Sequence, residues 1–171
     1  MPFLRTLLVA VCAATAFFAQ PIRAKAASGD ATRAMFVLQL SNYVTWPAAA
    51  FSSPSAPIVV AVVGNPALTA ELTTLARGQT VAGRFFEIRA AADAAGCAGA
   101  HLVFVSEAAQ SRALTASPAP LRVSEEPDKL ADTDIAIRMI SGRVAFSVNR
   151  KDVDRRGLKI SSKLMRLASD F

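Results

Sequence analysis

Two serines and two lysines fall within Lys159-Ile160-Ser161-Ser162-Lys163, close to the end of a 171-residue chain. These are the residue types of a serine–lysine nucleophile, in which a neutral amine takes the proton of the attacking hydroxyl. Such a pair needs serine and lysine one helical turn apart, in the spacing S-x-x-K. Lys163 follows Ser161 by two positions and Ser162 by one, so neither pair shares a helix face. Two other readings remain. Ser161 can cap a helix whose Ile160, Leu164 and Leu167 form an apolar stripe on a core, with Gly157 stopping the helix before it. Alternatively, Arg155, Arg156, Lys159 and Lys163, with Ser161 and Ser162, ring a helix N-terminus and receive a small anion or an acidic patch of a partner. Trp46 carries the same ambiguity. It is a core or helix-end aromatic, or a partly exposed anchor in a partner interface, where tryptophan is over-represented.

Other catalytic templates find no match. His101 is the single histidine and precedes a buried strand, whereas sites in open α/β sheets gather at the carboxyl ends. The chain has no G-x-S-x-G elbow, no G-x-x-x-x-G-K-[ST] phosphate loop and no G-x-G-x-x-G. Gly96 and Gly99 are spaced like a fragment of the last motif but stand before a strand. The acid pairs Glu125-Glu126 and Asp132/Asp134 lie in or beside a polar loop and read as solvated surface. Neither an enzyme nor a bound cofactor is expected.

The first residues suggest a compartment. Arg5 precedes an apolar run from Leu7 to Ala19, and Ala24-Lys25-Ala26 offers small residues around a cleavage point. This order reads as a secretory signal peptide over 1–26, too short to span a bilayer, followed by one domain over 27–171. Cleavage removes Arg5, Arg23 and Lys25 and lowers the formal charge from +6 to about +3. The remaining cations are scattered, so a nucleic-acid partner is not expected. Cys12 leaves with the leader, and Cys97 alone permits neither an internal disulfide nor a Cys/His metal site. It is a packed thiol or the site of an intermolecular bridge.

The elements that must position these residues follow from hydrophobic periodicity. Residues 31–45 have helical spacing with Asp30 as N-cap, ended by Pro47. The β-branched run 58–64 reads as a strand buried on both faces. Asn65-Pro66 then turns into a helix carrying Leu68, Leu72 and Leu75 on one face. Strands follow at 84–90, 101–106 and 120–125, with helical pieces at 90–95 and 107–116 and a polar loop over 125–133. Strands 134–140 and 143–149 are joined by Ser141-Gly142 as a hairpin, and Asn149 satisfies backbone groups at its end. The C-terminus is helical in two pieces split at Gly157. The expected fold is a three-layer α/β/α sandwich, mostly parallel with about six strands and a C-terminal antiparallel hairpin.

The two ends of this domain carry a resemblance. "RAMFVLQLSNYVTWP" near its start and "RVAFSVNRKDVDRRGLKISSKLMRLA" at its finish frame "VVGNPALTAELTTLA", "TVAGRFFEIR" and "GCAGAHLVFVS" in the order and spacing of the YfiR-like family. The phenylalanine strand, Asn149 and the G-L-x-I-S-S-x-L block are the most specific part. The resemblance implies an α/β/α sandwich in the periplasm, without catalysis. It implies a regulator that binds and represses the periplasmic sensor domain of an inner-membrane signalling protein, most often a diguanylate cyclase, so controlling cyclic di-GMP and biofilm. An outer-membrane lipoprotein is often the third partner, and some members form homodimers. Better-known members carry disulfides, one with a cysteine at the position resembling Cys97; here that cysteine has no partner in the chain. The runner-up reading is a periplasmic module of the same fold that binds a nucleotide or an aromatic amino acid.

Overall fold

The computed structural model describes residues 29–106, 121–125 and 133–168. The expected signal peptide, the helix expected at 107–116 and most of the expected loop at 125–133 lie outside the described residues. Helix α1 runs Gly29–Ser41, so Asp30 sits inside its first turn rather than capping it. The Asp30 carboxylate instead accepts from the Asn65 amide (3.0 Å) and pairs with Arg33 (3.4 Å). The helix stops before Val44–Thr45, which leave as the short strand β1 and pair far along the chain.

Strand β2 (Ile58–Val63) is buried along its whole length, as a continuous β-branched run requires. Asn65 then caps helix α2 (Pro66–Leu75), accepting the Leu68 N–H at 2.9 Å with Pro66 in the first turn. Leu68 and Leu72 are fully buried beneath it. Next come β3 (Thr80–Val81), β4 (Arg84–Ala91), β5 (Leu102–Val105), β6 (Leu121–Ser124), β7 (Ile135–Ile140) and β8 (Arg143–Val148). The chain closes with α3 (Arg150–Arg155), β9 (Lys159–Ile160) and α4 (Ser162–Met165).

The main sheet has the order β3-β4-β2-β5-β6-β7-β8. Strands β4, β2, β5, β6 and β7 are mutually parallel, and antiparallel arms, β3 and β8, close the two ends. All the strands expected from the sequence are present, and Ser141 and Gly142, both with positive φ, make the expected hairpin turn. Helices α1 and α2 pack on one face over a core centred on Phe104, Leu102, Leu121 and Ile137. Each such aliphatic or aromatic side chain contributes about 1.5–3 kcal/mol when buried.

On the opposite face Val59, Ala61, Val63, Val103 and Val105 enclose Cys97 and Ala100. The piece expected as a helix at 90–95 is not one. Strand β4 runs on to Ala91, and the residues after it form turns. Asp93 accepts the Gly96 N–H at 2.9 Å and Gly99 takes φ +72°, so local turn chemistry defeats an alanine preference too short to nucleate a helix. The sheet is thus covered on both faces, which bears out the α/β class with its parallel centre and late hairpin.

Candidate functional site

The two sequence blocks that frame the domain meet in space. Strand β1 pairs antiparallel with β9, Val44 opposite Ile160 and Thr45 opposite Lys159. The Ser161 N–H extends the pairing to the Tyr43 carbonyl at 2.8 Å. The C-terminal block is held from both ends. Asn149 caps α3, accepting the Asp152 N–H and donating to the Asp152 carboxylate at 3.0 Å. At the far end Gly157 (φ +70°) donates to Asp154 and Leu158 donates to Val153, a complete Schellman closure over two buried side chains.

Ser161 caps α4, its hydroxyl accepting the Lys163 N–H at 3.2 Å. The apolar stripe expected from Ile160, Leu164 and Leu167 does not form as one face. Helix α4 begins only after Ile160 and makes a single turn, so the i, i+4, i+7 geometry never applies. Leu164 is buried, Ile160 is half-buried as a strand residue, and Leu167 is 61% exposed.

The expected ring of cations is divided among different tasks. Arg155 pairs with Asp152 on its own helix, and the Arg156 Nε lies 3.4 Å from Asp134 with its side chain only 20% exposed. The Lys163 ammonium stands over the Tyr43 ring, 5.9 Å from its centre. Lys159 and Ser162 are exposed and line a hollow of about 340 Å³ with Arg150, Asp154, Val148 and Met165. Helix α4 is too short for its N-terminus to be an anion site. What the structure presents is a C-terminal segment with five exposed cations, Arg150, Arg155, Lys159, Lys163 and Arg166, of which Arg150 and Lys159 share the hollow beside β9.

Sequence reasoning missed the group beneath that segment. Arg122 is 3% exposed in the middle of an apolar strand, and Asp134, expected at the surface, is fully buried beside it. Asp134 accepts the Arg122 backbone N–H at 2.8 Å and lies 3.5 Å from its guanidinium, while Asp152 lies 4.0 Å away. Among the described residues the Arg122 Nε has no hydrogen-bond partner. This network ties β6, the entry to β7, α3 and Arg156 together, so it sets the position of the whole C-terminal block. The available signal was Arg122 itself: an arginine flanked by Leu121 and Val123 in an interior strand demands a carboxylate.

Trp46 is 8% exposed, and its indole N–H donates to the His101 carbonyl at 3.1 Å, so it is a core aromatic. The His101 Nδ1 accepts the Val59 N–H at 3.0 Å, which places the ring proton on Nε2 facing the Ala50 carbonyl at 3.0 Å. Phe51 stacks on the imidazole and Arg84 covers Phe51. Burial pushes the His101 pKa below its ordinary value, with Arg84 adding to the effect and the Ala50 bond opposing it. Both ring nitrogens are engaged with backbone, so the histidine acts as a joint between strands.

The Cys97 thiol is buried, and that burial, helped by Asp93, pushes its pKa up against the pull of Arg89. It is a packed thiol. Neither the serine–lysine cluster nor His101 is arranged as a nucleophile with its base. Among curated proteins no relative matches the chain. Residues 30–169 match the YfiR/HmsC-like family, a regulatory and non-catalytic family associated with diguanylate cyclase signalling, and the chain therefore belongs to that family.

Proposed function

We propose that this protein is a non-catalytic periplasmic regulator that binds the periplasmic sensor domain of an inner-membrane diguanylate cyclase and holds cyclic di-GMP synthesis down. The observation that carries the reading is the family match over residues 30–169. The exposed cations around β9 support it, because Arg150, Lys159 and Lys163 are held on a braced block and suit an acidic patch on a partner. The signal peptide expected from the sequence would take the chain to the compartment this reading needs, and an outer-membrane lipoprotein is proposed as the third partner. The test is native detergent extraction with the tagged chain. A membrane cyclase should co-purify with the wild type and be lost with Lys159→Glu, whereas recovery of no membrane protein would count heavily against the reading.

A specific observation also favours a small-ligand module. The hollow beside β9 is lined by Arg150, Lys159, Asp154 and Ser162 with apolar Val148 and Met165, and its volume of about 340 Å³ falls at the lower end for small-molecule sites. A nucleotide or an aromatic amino acid that raises the melting temperature would support this second reading. Saturation at 100 times the dissociation constant adds about 2.7 kcal/mol.

A further inference from the structure

A second hollow, of about 250 Å³, opens at the amino ends of β2 and β4 and shares no lining residue with the one beside β9. One wall comes from β1 and the residues after it, with Val44, Trp46 and Phe51. The other comes from the β3–β4 hairpin. Ala82 (φ 51°) and Gly83 (φ 78°) form its two-residue turn, which brings Arg84 back beside Val81, its cross-strand partner. Among the described residues Thr45 and Arg84 supply the polar side chains of the lining, and no carboxylate joins them.

Arg84 is half-buried, and among the described residues its guanidinium forms no ion pair. Its Nη1 donates to the Ser53 carbonyl at 3.1 Å and to the Ala56 carbonyl at 2.6 Å. The Phe51 ring lies against the guanidinium plane, its centre 3.7 Å from Cζ. Two carbonyls and one aromatic face therefore fix the group in place. Both hydrogens of Nη1 are used, whereas the Nε–H and Nη2–H groups have no partner among the described residues. Those two form the side-on edge of the guanidinium, whose parallel N–H groups match the two oxygens of a carboxylate.

We propose that this hollow binds a small apolar carboxylate, its oxygens on the Nε–Nη2 edge of Arg84 and its hydrocarbon part against Trp46, Val44 and Val81. The lining selects that class against its neighbours. An amine or a zwitterionic amino acid would bring an ammonium to a wall whose one charge is positive. The second charge of a phosphate would stay unmatched by a single guanidinium, and an alcohol would forgo the charge-assisted pair. The volume lies below that of drug-sized sites, which limits the hydrocarbon to a short chain or a single ring. This site is independent of the regulatory reading.

Trp46 is the one tryptophan of the chain, so its fluorescence reports on the hollow directly. Octanoate below its micellar concentration and phenylacetate are the probes, one for a chain and one for a ring. At least one should shift the emission saturably, whereas octylammonium and L-phenylalanine should not. Arg84→Gln should weaken carboxylate binding at least ~10-fold. Val81→Phe fills the hollow from the half-buried hairpin strand and leaves Arg84 in place, so it tests the site even where Arg84→Gln fails to fold. It should abolish binding with unchanged circular dichroism. No saturable response to either carboxylate overturns the proposal. So does octylammonium binding as tightly as octanoate, or a carboxylate affinity that survives in folded Arg84→Gln or in Val81→Phe.

Discussion

Replacing Asp134 by alanine tests the bracing of the C-terminal block. The carboxylate is fully buried, accepts the Arg122 backbone N–H at 2.8 Å and neutralises two guanidinium groups, those of Arg122 and Arg156. Among the described residues its removal leaves Arg122, 3% exposed and without a partner at Nε, with only Asp152 at 4.0 Å. Breaking a buried pair by deleting one member costs about 3–5 kcal/mol, because the surviving charge stays desolvated. A domain of this size is stable by about 5–15 kcal/mol, so the variant should lose roughly a fifth of that or more. Urea denaturation followed by circular dichroism is the assay, with the midpoint falling and the slope unchanged. The double variant Arg122→Met/Asp134→Leu should recover part of the loss, since it removes the unpaired buried charge of Arg122 but leaves its backbone N–H without the Asp134 acceptor. A loss below about 1 kcal/mol for Asp134→Ala would refute the reasoning, as this is the range of an exposed pair.

Further outcomes concern neighbouring residues. Arg156→Glu should cost about 2–4 kcal/mol because it places a carboxylate against buried Asp134, whereas exposed Lys159→Glu should cost under ~1 kcal/mol; equal costs would contradict the assigned pairing. Leu164→Ala should lose about 2–5 kcal/mol and Leu167→Ala almost nothing, in the same urea assay. His101 binds a proton less readily when folded than when unfolded, because its folded pKa is lowered from 6.5. Its contribution is therefore complete above pH 6.5 and declines as the pH falls from there towards the lowered value. Midpoints at pH 7.5 and 5.5 should differ more in the wild type than in His101→Gln, and a larger difference in the variant would reverse the sign. The Cys97 thiol should react with a disulfide reagent only on unfolding, and dithiothreitol should leave the melting temperature unchanged.

Long β-branched runs made the main sheet legible in the sequence, because Ile58–Val63 and Leu102–Val105 can be buried on both faces only as interior strands. The turn at Asn65-Pro66, the cap at Ser161 and the turn at Ser141-Gly142 were legible for local reasons of the same kind, whereas the capping role of Asn65 was not. The two-residue strands β1 and β9 were not. Their pairing joins Val44 to Ile160, and nothing in either segment alone distinguishes it from a helix end. The Asp134 carboxylate was misplaced at the surface because its burial depends on Arg122 arriving from another strand. The cationic residues were all identifiable, but only the tertiary structure separates Arg156, which is spent on Asp134, from Lys159, which remains exposed.

Repression through the surface around β9 is measured most directly as cellular cyclic di-GMP in a strain deleted for this chain. Complementation with the wild type should lower the nucleotide, and Lys159→Glu/Lys163→Glu, exported and folded to the same level, should leave it high. Cyclic di-GMP that does not respond to the deletion, or a charge-reversed variant that lowers it as fully as the wild type, would contradict repression through this surface.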